Sequence, residues 1–385
     1  MDFRFSPDEE KFKQEVYNFF IREQEIVNEA RKEWGSGLGF GPYCWEILKK
    51  IGSKGWLCPT WPKEYGGLEL SYMYRYIIME QMQYFINIYS TVGAGMAGPI
   101  ILRHGGEKQK REYLPKIAKG EIEFALGYTE PDAGSDLAAI SIKAEEKEDY
   151  FVINGSKLFN TRAHYAQYHW LGARTEEIDS KKKYKGISLF IIDLKTPGIA
   201  ITPIWTVGGT RTNEVFYGDV YVPKEALVGE KNRGFYYILE ALNYERLSTV
   251  AGRERDFQEL LSYVKEKGFG KDVLTRQRLA EIAIDIESAK LFALRVAAML
   301  DKNQIPNHEA SMLKMVVAET EQSMVQTAMQ IFGSYGQLRR GSKWAPLDGK
   351  FEVMYRDSVE RLITRGTSEI IKNIIAQRGL GLPRG

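Results

Sequence analysis

The sequence predicts an α+β protein in three consecutive parts: an N-terminal α-helical domain over residues 1–123, a middle β domain over 124–231 and a C-terminal α-helical domain over 232–385. Two changes of hydrophobic period carry this reading. Apolar residues recur at helical spacing up to about Glu123, at strand spacing from Phe124 to Gly229, and again at helical spacing after Asn232. A chain of 385 residues with a hydrophobic fraction of 44% is long enough to bury two or three such cores.

In the first part, Ser6-Pro7 followed by Asp8, Glu9 and Glu10 is a helix start: a cap, a proline in the first turn and acids at the positive end of the dipole. Glycines between Gly35 and Pro42 predict a loop. The stretch WLCPTWPKEYGG, from Trp56 to Gly67, is irregular by its prolines and glycines. Helices are expected from about Tyr72 to Gly93 and from Glu107 to Ala118. In the second part, Asn154-Gly155 between β-prone runs reads as a hairpin turn. Gly186–Leu194 and Glu214–Pro223 read as strands, with Lys181, Lys182 and Lys183 at a solvated hairpin tip. In the third part, Leu279, Ile282, Ile286, Ala289, Phe292, Val296 and Leu300 mark one face of a long helix. A second runs from about Glu309 to Phe332. A last helix stops at the glycines and proline near the C-terminus.

A formal net charge of +2 gives no bias toward nucleic acid or membrane. Two cysteines, Cys44 and Cys58, are too few for a disulfide framework, and no Cys/His cluster suggests a metal. The charged N-terminus lacks a signal-peptide core, and no apolar run approaches the roughly 18 residues of a membrane span. A reduced, cytoplasmic location is expected.

The stretch from Leu126 to Asp136, LGYTEPDAGSD, joins an apolar lead to Thr, Pro, Gly, Ser and Asp. It reads either as a loop lining a ligand or as a surface turn with a polar cap. It resembles the TEPGAGSD motif of the acyl-CoA dehydrogenase family, with Asp132 in place of a glycine. WLCPTWPKEYGG resembles a second segment of the same family, and the resemblance extends over almost the whole chain in order. It implies that fold, with a barrel-like middle domain and a C-terminal four-helix bundle. It also implies FAD and an acyl-CoA thioester as substrate. Electrons would pass to an electron-transfer flavoprotein, and the assembly expected is a homotetramer, with a dimer or heterotetramer as alternatives.

Carried over position by position, the resemblance sets Leu126, Tyr128 and Thr129 along the isoalloxazine and Ser135 near the cofactor pyrophosphate or the acyl-CoA. Phe159 and Thr161 match an aromatic-x-Thr beside the flavin, where the aromatic is more often Trp. Gln330 and Gly333 match a segment that reaches a neighbouring subunit's FAD. Thr367 and Glu369 match residues at the adenosine-side phosphates; bottom-up, the same Gly366–Glu369 run is also an ordinary helix cap. Glu266, between Lys265 and Lys267, stands where the family carries an FAD-binding Arg.

The family removes an α proton with a carboxylate and passes the β hydrogen to the flavin as hydride. In many members the base is the Glu of YEGT. Here that stretch is Thr364-Arg365-Gly366-Thr367, and an arginine cannot be a base. The backbone N–H of Arg365 can still donate to a thioester carbonyl. Isovaleryl- and long-chain-type members carry the base in an ERL motif, which here is Glu245-Arg246-Leu247. Ile238, Ala241, Leu242, Glu245, Thr249 and Gly252 fall at three- and four-residue steps, which sets Glu245 on an otherwise apolar stripe. Small residues beside it would leave room for a substrate, and burial would raise its pKa as a base requires. A structural salt bridge is the alternative role for Glu245. Arg246 matches a substrate-side contact, with a solvated helix arginine as its alternative. Two other readings of the whole chain stay open: an oxygen-reactive flavin oxidase or monooxygenase, and one subunit of a heteromeric dehydrogenase.

Overall fold

The computed structural model describes residues 3–88, 91–245 and 249–383, apart from the side chains of Asn243 and Glu245. The first part contains α1 (Pro7–Arg22), α2 (Gln24–Gly35), α3 (Pro42–Gly52), α4 (Tyr72–Ile86), a π turn Gly93–Ala97 that runs into α5 (Gly98–His104), and α6 (Glu107–Ala118). Ser6 caps α1 in a reciprocal box with Glu9. The helix expected over 72–93 is shorter. It ends at Ile86 because Asn87 turns into the left-handed region, φ 59°, which asparagine tolerates better than most residues.

The second part is one sheet of β1 (Phe124–Gly127), β2 (Lys143–Glu146), β3 (Tyr150–Lys157), β4 (Tyr168–Arg174), β5 (Ile187–Asp193), β6 (Ile199–Trp205) and β7 (Arg211–Pro223). The order is β1-β4-β2-β3-β7-β6, and β5 also pairs with β4. The sheet curls on itself. Phe151 of β3 meets Phe190 of β5 edge to face, centroids 5.1 Å apart, and His169 of β4 hydrogen-bonds Tyr217 of β7, although neither pair of strands is adjacent. Phe151, Ile153, Leu171, Phe190, Val215 and Tyr217 fill the interior.

Asn154-Gly155 is not a hairpin turn. It lies inside β3, where the register against β7 shifts between Ile153 and Gly155. Gly155 has φ 140°, and a Cβ there would stand 2.7 Å from Ile142 Cγ1, so glycine meets a bulge and a close approach rather than a turn. Asn154 is spent on Asp219, exchanging two hydrogen bonds of 2.8 and 3.0 Å with its backbone and side chain.

The third part contains α7 (Gly234–Glu245), α8 (Ala251–Lys267), α9 (Val273–Asp301), α10 (His308–Phe332), α11 (Lys350–Ile363) and α12 (Ser368–Ile374), the last continued by a π turn Ile375–Gly379. The expected face of α9 is inside: Leu279, Ile282, Ile286, Ala289 and Val296 are buried, and Phe292 and Leu300 pack at its margin. Helix α4 is held from two sides. Ile78 and Met82 join a core with β1, β4 and α7, while Tyr76, Ile77 and Met79 join one with α9 and α10. At about 1.5–3 kcal/mol per fully buried aliphatic side chain, this burial outweighs any local preference in fixing α4.

The predicted stripe from Ile238 to Gly252 divides between two elements. Ile238 and Ala241 are buried on α7, with Leu242 at their margin, whereas Thr249 precedes α8 and Gly252 belongs to it. Thr249 Oγ1 donates to Gln83 Oε1, and a Cβ on Gly252 would lie 2.9 Å from Asn87 Oδ1. These small residues let α8 approach α4 and do not open space for a ligand. Among the described residues no helix is long and apolar enough to cross a membrane.

Candidate active site

The site is built outward from β1. Its alternation turns Ala125 into the barrel interior and leaves Leu126 half-buried, after which the chain passes through Tyr128, Thr129 and Glu130. Tyr128 is buried, and its hydroxyl accepts from Trp170 Nε1 at 3.0 Å. Lys157, fully buried at the end of β3, donates to the Tyr128 carbonyl at 3.0 Å and to Glu130 Oε1 at 2.8 Å. The next amide, Leu158 N–H, donates to the Thr129 carbonyl at 2.9 Å. Residues 128–130 and 157–158, nearly thirty positions apart in sequence, are thus fastened together. Thr129 is pinned at its own carbonyl and on both sides.

That fastening brings the second predicted flavin segment alongside the first. Phe159 follows Leu158 and is 60% exposed, with φ 55°. A bulky residue at positive φ costs of the order of 1–3 kcal/mol and persists only where neighbours over-determine it. Here Leu158 N–H is tied to Thr129 and Asn160 N–H to the Asn213 carbonyl at 2.8 Å. The result is an aromatic ring offered to a ligand beside Thr129, which fits a flat heteroaromatic cofactor. Thr161 is also exposed and shares a 3.2 Å hydrogen bond with Thr212.

Glu130 shapes the loop that follows. It closes a tight turn with Ala133, and its carboxylate accepts from Ser141 N–H at 2.6 Å, Ser141 Oγ at 2.8 Å and Ile142 N–H at 3.1 Å as well as from Lys157. Burial pushes this carboxyl up, but Lys157 and the Ser141 and Ile142 amides outweigh it and hold the group below its ordinary value. The loop so anchored carries Ser135, which is exposed, as is Asp132. Asp136 pairs with Lys183 at 2.9 Å, so one of the three lysines at the β4–β5 tip is engaged rather than solvated.

At the C-terminal end, Thr367 caps α12, its hydroxyl accepting from Ile370 N–H at 3.3 Å. Its own amide and the Thr367 hydroxyl hold Glu369 below the ordinary carboxylate value. Arg365 is half-buried with φ 59°, next to Gly366 at φ 93°. Lys314 of α10 anchors this turn, donating to the Gly366 carbonyl at 2.7 Å; burial and the Arg365 charge push its amine down to about 8. Gln330 and Gly333 are exposed at the far end of α10, and Gly333 has open space around it. Sixteen residues of helix separate Lys314 from Gln330, about 24 Å. Within one chain the Thr367 turn and the Gln330 end therefore stand well apart.

Glu245 is the last residue of α7, and its side chain lies outside the described residues, as does Arg246 altogether. Helix α7 itself is well placed: Ile238 and Tyr128 both pack against Gly172. One turn before Glu245's own turn, Glu240 meets His104 Nε2 at 2.8 Å and Arg103 Nη1 at 3.0 Å. Glu266 is exposed and pairs with Lys267 at 2.8 Å, so Lys267 is committed to its neighbour.

Lys157 and Lys314 were not among the sequence candidates. Lys157 had a legible signal: it falls in step with Phe151, Ile153 and Gly155 on the inward period of β3, a cation on an apolar face. Lys314 had none, because its partners are backbone carbonyls fifty residues away.

A curled sheet with an exposed aromatic, preceded and followed by helical parts, matches a family of flavoprotein oxidoreductases acting on CH–CH groups. The chain belongs to the acyl-CoA dehydrogenase family: the N-terminal, middle and C-terminal domains of acyl-CoA dehydrogenase match residues 6–121, 125–220 and 232–380. It is 31% identical to acyl-CoA dehydrogenase FadE26 of Mycobacterium tuberculosis, over 100% of this chain and 99% of that protein. It is also 31% identical to the caffeyl-CoA reductase-Etf complex subunit CarC of Acetobacterium woodii, over 92% and 94%. A solved structure of the Tcur3481-Tcur3483 steroid ACAD superposes with a TM-score of 0.91 at 32% identity, covering 100% of both chains.

Proposed function

We propose that this chain binds FAD and dehydrogenates an acyl-CoA thioester to the 2-enoyl-CoA, with Glu245 removing the α proton. The observation that carries the reading is the junction of Thr129 with Phe159, an exposed, backbone-strained ring fixed beside the TEPDAGSD loop. FAD, when bound there, supplies the acceptor for the β hydride. Leu126, Tyr128, Thr129, Phe159 and Thr161 hold and orient its ring system, and Ser135 donates to its pyrophosphate or to the thioester substrate. The Arg365 amide polarises the thioester carbonyl, and Arg246 contacts the substrate. Electrons leave to an electron-transfer flavoprotein in the cytoplasm; CarC is named as part of an Etf complex.

Thr367 and Glu369 serve the adenosine side of the cofactor, and Gln330 and Gly333 serve that of a neighbour. The separation of about 24 Å along α10 supports this reciprocal arrangement, which closed symmetric assembly satisfies. A second reading, one subunit of a heteromeric dehydrogenase, is favoured by the two-chain designation of the Tcur3481-Tcur3483 structure. Purifying the chain alone decides between them. A yellow homotetramer whose flavin is bleached anaerobically by an acyl-CoA, and reoxidised slowly in air, supports the first. A colourless chain that acquires flavin only with a second gene product supports the other, and rapid air reoxidation identifies an oxidase.

Ser135→Ala is expected to leave the fold intact, since the residue is exposed. Loss of one hydrogen bond to a charged group should weaken FAD or acyl-CoA binding by about 1.5–3 kcal/mol. Unchanged flavin retention together with unchanged acyl-CoA affinity returns Ser135 to the role of a turn residue.

A further inference from the structure

Lys157 sets a fully buried positive charge against the backbone of the site. Its ammonium reaches the Tyr128 carbonyl at 3.0 Å and Glu130 Oε1 at 2.8 Å. Glu130 divides its charge among three further donors, the Ser141 amide, the Ser141 hydroxyl and the Ile142 amide. Replacing a buried ion pair by apolar side chains of similar volume is often neutral or stabilising, so stability alone does not account for this one.

The Tyr128 carbonyl and the Thr129 N–H belong to one peptide unit, whose atoms share electrons by resonance. An ammonium that draws electron density to the oxygen leaves more positive charge at the N–H, and a low-dielectric interior strengthens this polarisation along hydrogen-bonded groups. Thr129 is half-buried, and among the described residues its N–H has no acceptor. The next peptide unit differs. The Thr129 carbonyl accepts from Leu158 N–H at 2.9 Å, and Glu130 N–H donates to the Ala133 carbonyl at 3.0 Å, so that unit is satisfied within the chain. A polarised donor thus remains for a ligand, on backbone that is pinned on both sides and lies beside the exposed Phe159 ring.

We propose that Lys157 is a positioning residue for the redox step: through the Tyr128–Thr129 peptide it polarises an N–H that meets the cofactor, and it thereby favours the reduced flavin over the oxidised one. The inference rests on the FAD reading above. In that reaction the α and β C–H bonds break and the C=C bond forms. The α proton goes to the base, and the β hydride brings two electrons to the ring system, where negative charge grows. A preorganised donor aimed at growing charge stabilises the end of such a step more than its beginning. Reduction becomes more favourable without any change in the residues that touch the thioester.

The test is the midpoint potential of the bound flavin, read by anaerobic reductive titration of the purified holoenzyme against a reference dye, with no acyl-CoA present. Lys157→Met should make reduction less favourable by a factor of about ten or more, about 30 mV for a two-electron couple. Lys157→Gln, which keeps a neutral donor for the Tyr128 carbonyl, should fall between Lys157→Met and wild type. Lys157→Met combined with Glu130→Gln removes both charges and keeps an acceptor for the Ser141 and Ile142 amides; its potential should stay low. A wild-type potential in that double variant shows an effect of net charge alone and overturns the proposal. An unchanged potential in Lys157→Met, with a lowered melting temperature, makes Lys157 a structural residue and overturns it too. If Lys157→Met releases its flavin, the double variant and Lys157→Gln decide. A wild-type chain that takes up no FAD, alone or with a second gene product, overturns the flavin reading itself.

Discussion

Glu245→Gln should retain FAD and acyl-CoA while anaerobic flavin bleaching slows by a factor on the order of 100 or more. Glutamine keeps the size and hydrogen-bonding reach of the side chain but cannot take a proton, so the loss measures a positioned base. Helix α7 is fixed by buried Ile238 and Ala241 and by the Glu240 contacts with His104 and Arg103. Single-turnover bleaching separates this step from product release. Arg365→Ala should affect the same step far less, because its amide remains. Adding Arg365→Glu to Glu245→Gln should restore bleaching in part, since it rebuilds a carboxylate on the turn held by Lys314. Bleaching at the wild-type rate in Glu245→Gln would move the base to another carboxylate or to a partner.

The largest effect on stability is expected from Glu130→Ala. It strips a fully buried ammonium of its counterion and leaves the Ser141 and Ile142 amides without their acceptor. Breaking a buried pair from one side costs about 3–5 kcal/mol, a large part of the roughly 5–15 kcal/mol that holds a domain. Urea unfolding should show this as a lower midpoint, accompanied by loss of FAD, because Lys157 also fixes the Tyr128 carbonyl. Lys157→Met should cost less: Glu130 keeps three donors, whereas Lys157 keeps one acceptor. The pH dependence has a definite sign. The folded Glu130 carboxyl lies below its ordinary 4.5, so its contribution is complete above that value and disappears as pH falls through the folded value. The wild-type midpoint should fall faster than that of Glu130→Ala on acidification below about pH 4.5. Parallel curves, or a larger loss in Lys157→Met, would refute the assignment.

Much of this molecule could be read from its sequence because local and global signals agree. The box at Ser6, the α6 boundaries and the buried face of α9 follow from caps and period alone. Two misreadings share one cause: a residue chosen for a distant contact was taken as a local signal. Gly155 answers to Ile142 across the sheet, and Gly252 and Thr249 answer to α4. Of the site, the TEPDAGSD loop was visible by motif. The fastening of Thr129 to Phe159 needs Lys157 and Leu158 in three dimensions.

Glu123 has a kinetic consequence. Its carboxylate binds the Gly93 amide of the N-terminal part, its own neighbour Phe124, and the Arg162 guanidinium, which lies over the rings of Trp34 and Phe40. Swinging the helical part away from the sheet would expose this ion pair singly and tear the core that α4 shares with α7. Rigid hinge motion of this part is therefore a costly route of entry, and thioester exchange is expected to be set by rearrangement of side chains and short connections, at a rate insensitive to the solution viscosity that slows whole-domain rotation.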